Sequence, residues 1–565
     1  MNKSLKIFLI VGIILSVSAF TNAQTNTVGL IMNDSTASFG GYTLFSPLSS
    51  TNTYLINNDG YVVHSWSSNY RPGQAVMLLP DGSLLRTAAI GNSNIFDAGG
   101  AGGRVEKYDW DGNLTWSFDY YSSDYSTHHD VEYMPNGNIL LIAWEKKSFD
   151  DAVAAGRNPS NIGNDIWPEK IIEVKPTGTS GGEIVWQWHV WDHLIQDFDS
   201  TKANYGSVAN HPELIDFNFG SSDEDWLHIN SVRYNSERDE ILLSVHNFSE
   251  IWIIDHSTTT EQAAGHSGGG KSRGGDLLYR WGNPQAYRAG TSLDRKLFTQ
   301  HDARWIESGL PGEGDIMIFN NGQGRTGGNY SSVDQITPPL DSNNNYYLDS
   351  SGKYGPGKLT WTYTAQPSTS FYGQNISGAT RMPNGNTLIC EGPSGKFFEV
   401  NGSGKTVWEY INPVTRNGIL MQGETPTANP VFKVYRYSPN YSGLVGKDLS
   451  PKGRIETYTT GVESESSLPQ KFSLEQNYPN PFNPATTIKY SIPNVETQHA
   501  ASHLQHVTLK IYNVIGQEIT TLVDEQKPPG NYEISFDAGK LTSGVYLYSI
   551  KTNGFSQTKK MLLLK

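Results

Sequence analysis

The 565-residue chain has one cysteine, Cys390, so no disulfide can brace it from within. Cys390 lies in the apolar strand pattern "GNTLICEG" and reads as a small core residue. Positive charge is also scarce. Forty-two Lys and Arg face 56 Asp and Glu, a formal net charge of −14 with no basic block, which argues against a nucleic-acid partner. Charged residues make up only 17%, and runs of Ala, Glu, Lys and Leu are missing, so long surface helices are not expected. After the first two dozen residues no apolar run is long enough to cross a membrane. What the chain does have is aromatic residues (12%), 57 glycines and 28 prolines, the composition of many short strands joined by tight turns.

Residues 1–23, "MNKSLKIFLIVGIILSVSAFTNA", carry Lys3 and Lys6, then an apolar run from Ile7 to Phe20, then a small residue at Ala23. This is the pattern of a secretory signal peptide, cleaved after Ala23 and leaving no transmembrane span. The length calls for more than one domain. Residues 24–454 hold a repeated strand pattern, 455–470 form a polar linker, and 471–565 form a small all-β domain of alternating strands.

The repeat occurs six times. A glycine is followed six positions on by an aromatic residue: Gly60 and Trp66, Gly112 and Phe118, Gly182 and Trp188, Gly275 and Trp281, Gly357 and Tyr363, Gly404 and Tyr410. Five copies carry another aromatic four positions after the glycine, and the first copy has His64 there. Residues two apart share a strand face, so each copy offers an aromatic pair to one side. A second strand-turn-strand unit follows most copies, as in "DVEYMPNGNILLIAW" and "ATRMPNGNTLICEG". Two hairpins per repeat give four strands, and six such sheets in series predict an all-β six-bladed β-propeller, with long insertions at 146–170, 189–225, 258–274 and 320–356.

Just before the first strand of the second unit the chain reads "STHHD", "DWLHIN", "TQHD" and "QNIS". In this register His129, Asn230, His301 and Ser377 are equivalent, with His128 and His228 slightly upstream. Entry loops of inner strands gather at one mouth of a propeller, so several histidines are expected in one small space; His246, in "SVHN", follows the inner hairpin of the third unit. His64, His189, His193, His256 and His266 are read as solvated or structural. Two chemistries suit the cluster. Imidazoles with Asp130 and Asp302 could bind a divalent metal. Alternatively an imidazole acts as nucleophile while Arg280, Arg304 or Arg325 holds an anionic group. Residue types alone leave both open.

Taken together, "GYTLFSPLSSTNTYLINNDGYVVHSW", "HHDVEYMPNGNILLIAWE", "DWLHINSVRYN", "ILLSVHNFSEIWIID", "YRWGNP" and "QHDARWIESG" resemble the bacterial arylsulfate sulfotransferase family over residues 41–445. The resemblance implies a six-bladed propeller that moves a sulfuryl group from a phenolic sulfate ester to a phenol acceptor through a sulfated histidine. It implies no cofactor and no nucleotide sulfate donor. Residue by residue it makes His301 the nucleophile, places His228 and His246 in the sulfuryl pocket, and calls for an arginine, for which Arg280 is the choice; Asp302 is a candidate to orient His301. His128, His129, Asn230, Asn247 and Arg325 are expected to contact substrate. The dimerising N-terminal β-domain and the disulfide of that family have no counterpart here, so a monomer is expected. The alternatives are a non-catalytic surface propeller that binds glycan or protein, and a metal-dependent hydrolase or lyase.

In the last domain, "NYPNPFNPATTI", "IYNVIGQE", "SGVYLY" and the basic tail resemble the C-terminal sorting domain of type IX secretion substrates. The resemblance implies an Ig-like β-sandwich, the type IX machinery of a Bacteroidetes-type bacterium as partner, and a secreted or cell-surface (outer-membrane) location.

Overall fold

Alternating apolar residues and glycine turns make short, mostly antiparallel strands the main regular structure of the described residues. The computed structural model describes residues 26–90, 95–457, 471–493, 505–527, 530–552 and 554–565. The signal-peptide segment 1–23 and most of the 455–470 linker lie outside the described residues. The chain divides into two units, residues 1–457 and 458–565.

Among the described residues the first unit contains six sheets of four or five strands that follow one another along the chain, besides three two-stranded ribbons. Sheet 2 is a plain meander of Pro72–Leu78, Leu84–Ala89, Gly103–Tyr108 and Leu114–Asp119. Sheet 3 repeats it with Tyr125–Tyr133, Ile139–Glu145, Glu169–Pro176 and Gly182–His189; sheet 4 with Ile229–Asn235, Glu240–Val245, Glu250–Asp255 and Tyr279–Trp281; sheet 5 with His301–Trp305, Ile316–Asn320, Ser332–Ile336 and Trp361–Tyr363. The two end sheets borrow strands across the whole unit. Sheet 1 (Tyr42–Phe45, Asn52–Asn57, Val62–Ser67) takes its first strand from Tyr435–Tyr437, with Tyr42 opposite Tyr437. Sheet 6 (Gly378–Arg381, Thr387–Glu391, Lys396–Val400, Thr406–Ile411) gains Gly29–Asn33 on its outer edge, with Leu30 opposite Tyr410.

The sheets pack in a circuit. Leu44 and Leu55 of sheet 1 meet Leu78 and Leu84 of sheet 2. Leu85 and Val105 meet Val131 and Ile172 of sheet 3. Ile142 and Trp188 of sheet 3, Ile241 and Trp252 of sheet 4, and Ile316 and Ile318 of sheet 5 share one core. Phe319 meets Ile389 and Phe398 of sheet 6. Cys390 and Trp408 of sheet 6 return to Phe45 and Ile56 of sheet 1. Burial drives the Cys390 thiol well above its ordinary pKa, so it is inert core.

The repeated aromatic pattern sits in the fourth strand of each sheet, and in five of the six an indole latches it to the next. The indole N–H of Trp66 donates to the Asp109 carbonyl, Trp116 to Gly181, Trp188 to Gly275, Trp281 to Pro356 and Trp408 to Asn58. The last of these runs from sheet 6 back to sheet 1. Each combines about 1.5–3 kcal/mol of apolar burial with a hydrogen bond worth about 1 kcal/mol.

The second unit has a three-stranded sheet (Ser473–Leu474, Ala485–Ile492, Gly530–Asp537) and a four-stranded sheet (Glu518–Lys527, Gln505–Asn513, Gly544–Lys551, Ser556–Leu563). Ile488, Tyr490 and Phe536 from the first share a core with Leu509, Ile511, Tyr548 and Met561 from the second. Among the described residues no helix is long and apolar enough to cross a membrane.

Candidate active site

The first strands of successive sheets lie side by side, and their leading ends are kinked. Backbone φ is left-handed at His129 (53°), His228 (53°), Asp302 (51°) and Ser377 (91°), a conformation non-glycine residues seldom adopt. In sheets 3 and 5 the pairing register slips there, between His128 and Val131 and between His301 and Arg304. A regular strand sends neighbouring side chains to opposite faces. The bulge lifts that rule, so His128 and His129 face the same space.

Four imidazoles form a chain of touching rings. Centroids are 4.6 Å apart for His129 and His228, 5.0 Å for His228 and His246, and 5.2 Å for His246 and His301. His128 extends the chain through an Nδ1···Nδ1 contact of 2.8 Å with His129 and stacks on Trp144 at 3.9 Å. Gly100 is required beside them. Its φ is +85°, and a Cβ there would fall 2.1 Å from Cε1 of His129.

The surroundings set a different protonation for each ring. His301 Nδ1 lies 2.8 Å from Asn321 Oδ1. Both amide hydrogens of Asn321 are engaged by the carbonyls of Gly373 and Ile376, so its oxygen can only accept and His301 carries its proton on Nδ1. Nε2 keeps its lone pair and accepts the Ile376 N–H at 3.2 Å. Burial, with the neighbouring His246, holds His301 well below the ordinary histidine pKa, so the ring is neutral. His246 is fixed in the same way: Asn247 donates to the Asp225 and Trp226 carbonyls and accepts from His246 Nδ1 at 2.7 Å. Burial lowers His246 to about 4. His128 is lowered to about 3 and His129 well below normal, again mainly by burial.

His228 is the exception. Burial opposes its charge, but the Asp225 carboxylate 2.5 Å from Nδ1 outweighs burial and raises the pKa. Asp225 also accepts the Trp144 indole N–H at 2.8 Å. Nearby Glu169 is driven well above the carboxylate range by burial and by Asp225, and so is neutral. The cluster therefore combines neutral imidazoles with one imidazole, His228, whose protonated form a carboxylate favours.

Next to the rings lies a buried ion network. Lys433 Nζ is 2.7 Å from both oxygens of Asp130 and 3.3 Å from Asp302; Arg233 bridges Asp130 (2.8 Å) and Asp302 (3.0 Å); Arg304 holds Asp302 at 2.8 Å. Glu132, 3.5 Å from Arg233, is pushed up to about 7 by burial. Asp302 therefore turns to cations and does not orient His301; that position belongs to Asn321. Nor do Asp130 and Asp302 face the imidazoles as a metal's carboxylate ligands would.

The structure brings together His128, His129, His228, His246 and His301, with Asn247 supporting His246. It keeps Arg280 apart: this side chain is fully buried, held by Glu250 at 2.5 Å and by the Pro212 and Leu214 carbonyls. Asn230 is buried beneath the site and ties sheet 4 to the Gln300 carbonyl at 2.8 Å. Arg325 donates to Ser332 and lies over Phe298 and Tyr330. An arginine whose charge does reach His246 is Arg295, which lowers the pKa of that ring and donates to Ser249 and the Leu297 carbonyl. Asp225, Asn321 and Arg295 are absent from the sequence-based candidates. Their signals were short-range: Asp225 stands three residues before His228, and Asn321 just past the strand that pairs with His301. Two concavities, about 620 and 470 Å³, lie against sheets 5 and 6 and against sheets 2 and 3, and neither is lined by a histidine.

Residues 50–436, a span that holds all five clustered histidines, match the family model described as arylsulfotransferase. The chain belongs to the arylsulfotransferase family. Membership supports aryl sulfotransferase activity in general terms. Residues 476–564 match the secretion-system C-terminal sorting domain, which supports a secreted or cell-surface location for this arylsulfotransferase-family protein and secretion machinery as a partner. No curated protein matches the chain. Among solved structures it is similar to a putative 6-phosphogluconolactonase from Bacteroides fragilis (11% identity, 71% of this chain and 98% of that one, TM-score 0.31). It is also similar to the periplasmic gluconolactonase of Pseudomonas aeruginosa (11%, 71% and 100%, 0.33) and to virginiamycin B lyase from Staphylococcus aureus (10%, 70% and 87%, 0.32).

Proposed function

We propose that the protein is an exported, cofactor-independent sulfotransferase that moves a sulfuryl group between phenols through a sulfated His301. The six sheets are the blades of a propeller, their first strands line its axis, and the histidines stand at one mouth; the C-terminal unit is an Ig-like sandwich read by the type IX machinery. One observation carries the reading. His301 is a buried neutral imidazole whose tautomer Asn321 fixes with the lone pair on Nε2, at one end of a ring chain containing His228, whose protonated form Asp225 favours.

In the first half-reaction Nε2 attacks sulfur, the Nε2–S bond forms, and the S–O bond to the aryl group breaks. The departing phenolate takes the proton of His228 Nε2, whose charge Asp225 sustains. The sulfated His301 keeps its Nδ1 proton on Asn321, so the imidazole is cationic and a good leaving group. The incoming sulfur displaces the Ile376 N–H from Nε2. That N–H and Arg295 are then at hand for the sulfuryl oxygens. In the second half-reaction neutral His228 takes the proton of the acceptor phenol, whose oxygen attacks sulfur and frees His301. The three buried cations beside Asp130, Asp302 and a Glu132 that titrates near 7 favour an anionic substrate.

The test is nitrophenol release from 4-nitrophenyl sulfate, with and without phenol, by the protein and its His301→Ala variant. Phenol-dependent release that disappears in a variant folded by circular dichroism is expected. Release by water alone would indicate a hydrolase, and no release with any phenol would leave a binding module.

A further inference from the structure

A second group of ligand-type side chains lies outside the histidine chain. His193 ends the short turn Val190–His193 after sheet 3. His266 belongs to the glycine-rich excursion 258–274, and Asp276 stands just before the last strand of sheet 4. Their ligand atoms lie within 4.8 Å of one another. His193 Nδ1 and His266 Nδ1 approach the same oxygen, Oδ1 of Asp276, at 2.9 and 2.7 Å. His193 is fully buried, and its Nε2 is 2.8 Å from the Ala263 carbonyl. A carbonyl only accepts, so Nε2 carries the proton, and the buried Nδ1 can turn a lone pair toward the centre of the trio. An imidazole that hands its second N–H to a carbonyl is the usual outer arrangement around a metal-bound histidine. Gly275 makes room for it: a Cβ there would meet the Ala263 oxygen at 2.0 Å and His193 Nε2 at 2.6 Å. Trp188 stacks on His193 and donates to the Gly275 carbonyl, fixing the ring from the other side.

We propose that His193, His266 and Asp276 form a divalent-cation site, best suited to zinc, that staples the 258–274 excursion to the turn after sheet 3. Two imidazole nitrogens and one carboxylate oxygen suit a borderline cation better than calcium or magnesium, which prefer oxygen alone. His266 is largely exposed, so a water can complete the coordination. Binding releases any proton held between Asp276 and the two Nδ1 atoms.

The test uses the full, tag-free chain, stripped with chelator, exposed to zinc sulfate and desalted, beside His266→Ala and Asp276→Asn. The protein is expected to retain one equivalent of zinc. His266→Ala, altered at an exposed side chain and therefore folded, is expected to lose it by more than the roughly 10–100-fold that losing an outer contact brings. Zinc should also slow proteolysis within 258–274 in the protein and not in His266→Ala. No retained zinc in the parent chain would overturn the proposal. So would equal retention in His266→Ala, which would locate the zinc elsewhere, in the active-site histidines above all.

Discussion

Replacing Asp225 by asparagine removes the charge that sustains His228 while keeping the shape of the site. Trp144 donates to Oδ1 of Asp225, so in the variant the amide oxygen stays with the indole and the NH2 faces His228 Nδ1. Nδ1 must then accept, the ring proton sits on Nε2, and the imidazolium is lost. With the carboxylate gone, burial is left to act on the ring and lowers its pKa. Each pKa unit of that drop is worth about 1.36 kcal/mol, or about a tenfold smaller protonated fraction once the pH lies above the pKa. Part of this returns because the protonated ring is a stronger acid, so turnover of a substrate that needs the proton should fall about 10²-fold. The assay compares phenyl sulfate with 4-nitrophenyl sulfate, whose leaving group needs little help, both with a phenol acceptor. Phenyl sulfate should lose far more. In the parent protein the phenyl sulfate rate should hold through mildly acidic pH, because His301 stays neutral there, and decline as pH rises through the raised pKa of His228; in Asp225→Asn the decline moves to lower pH. Equal losses on both substrates with an unmoved pH profile would refute the role given to His228.

Three further outcomes follow from the same geometry. Arg295→Ala should lower kcat/KM for sulfate donors by about 10²-fold, the scale of one lost oxyanion donor, and leave the alkaline limb of the pH profile in place. Gly100→Ala places a methyl against the buried His129 ring and should cost about 1–3 kcal/mol, read as a lower denaturant midpoint with an unchanged slope, together with reduced turnover. Lys433→Met strips a cation from buried Asp130 and Asp302 and should destabilise the first unit by about 3–5 kcal/mol, measured by chemical denaturation.

The spacing of glycine and aromatic pairs revealed the fourth strand of every sheet, because a two-residue alternation and a turn glycine are local properties. The pairings of Leu30 with Tyr410 and Tyr42 with Tyr437 were not legible, since nothing within either segment names a partner almost 400 residues away. His128, His129, His228 and His301 were found because histidines recurred where inner strands begin, and His246 because it follows an inner hairpin. Their register was not. The sequence alignment equated His129 with Asn230 and His301, whereas the left-handed residues are His129, His228, Asp302 and Ser377. Bulges break the alternation on which strand alignment depends. They also explain Asp130 and Asp302, which looked like metal ligands or a ring orienter until Arg304 of the same strand as Asp302, Arg233 of sheet 4 and Lys433 from the far end of the unit appeared beside them. Arg280 followed a motif, "YRWGNP", that serves a buried ion pair with Glu250. Asn321 and Arg295 carry no pattern of their own, and only the packing of separate loops around His301 and His246 brings them forward.

The central claim is a covalent one and is tested most directly by mass spectrometry of the protein mixed with excess 4-nitrophenyl sulfate in the absence of acceptor. A single sulfuryl group on the peptide containing His301, discharged when phenol is added and absent from His301→Ala, is the predicted result. An unmodified His301 during phenol-dependent turnover, or a sulfuryl group resident on another histidine, would contradict it.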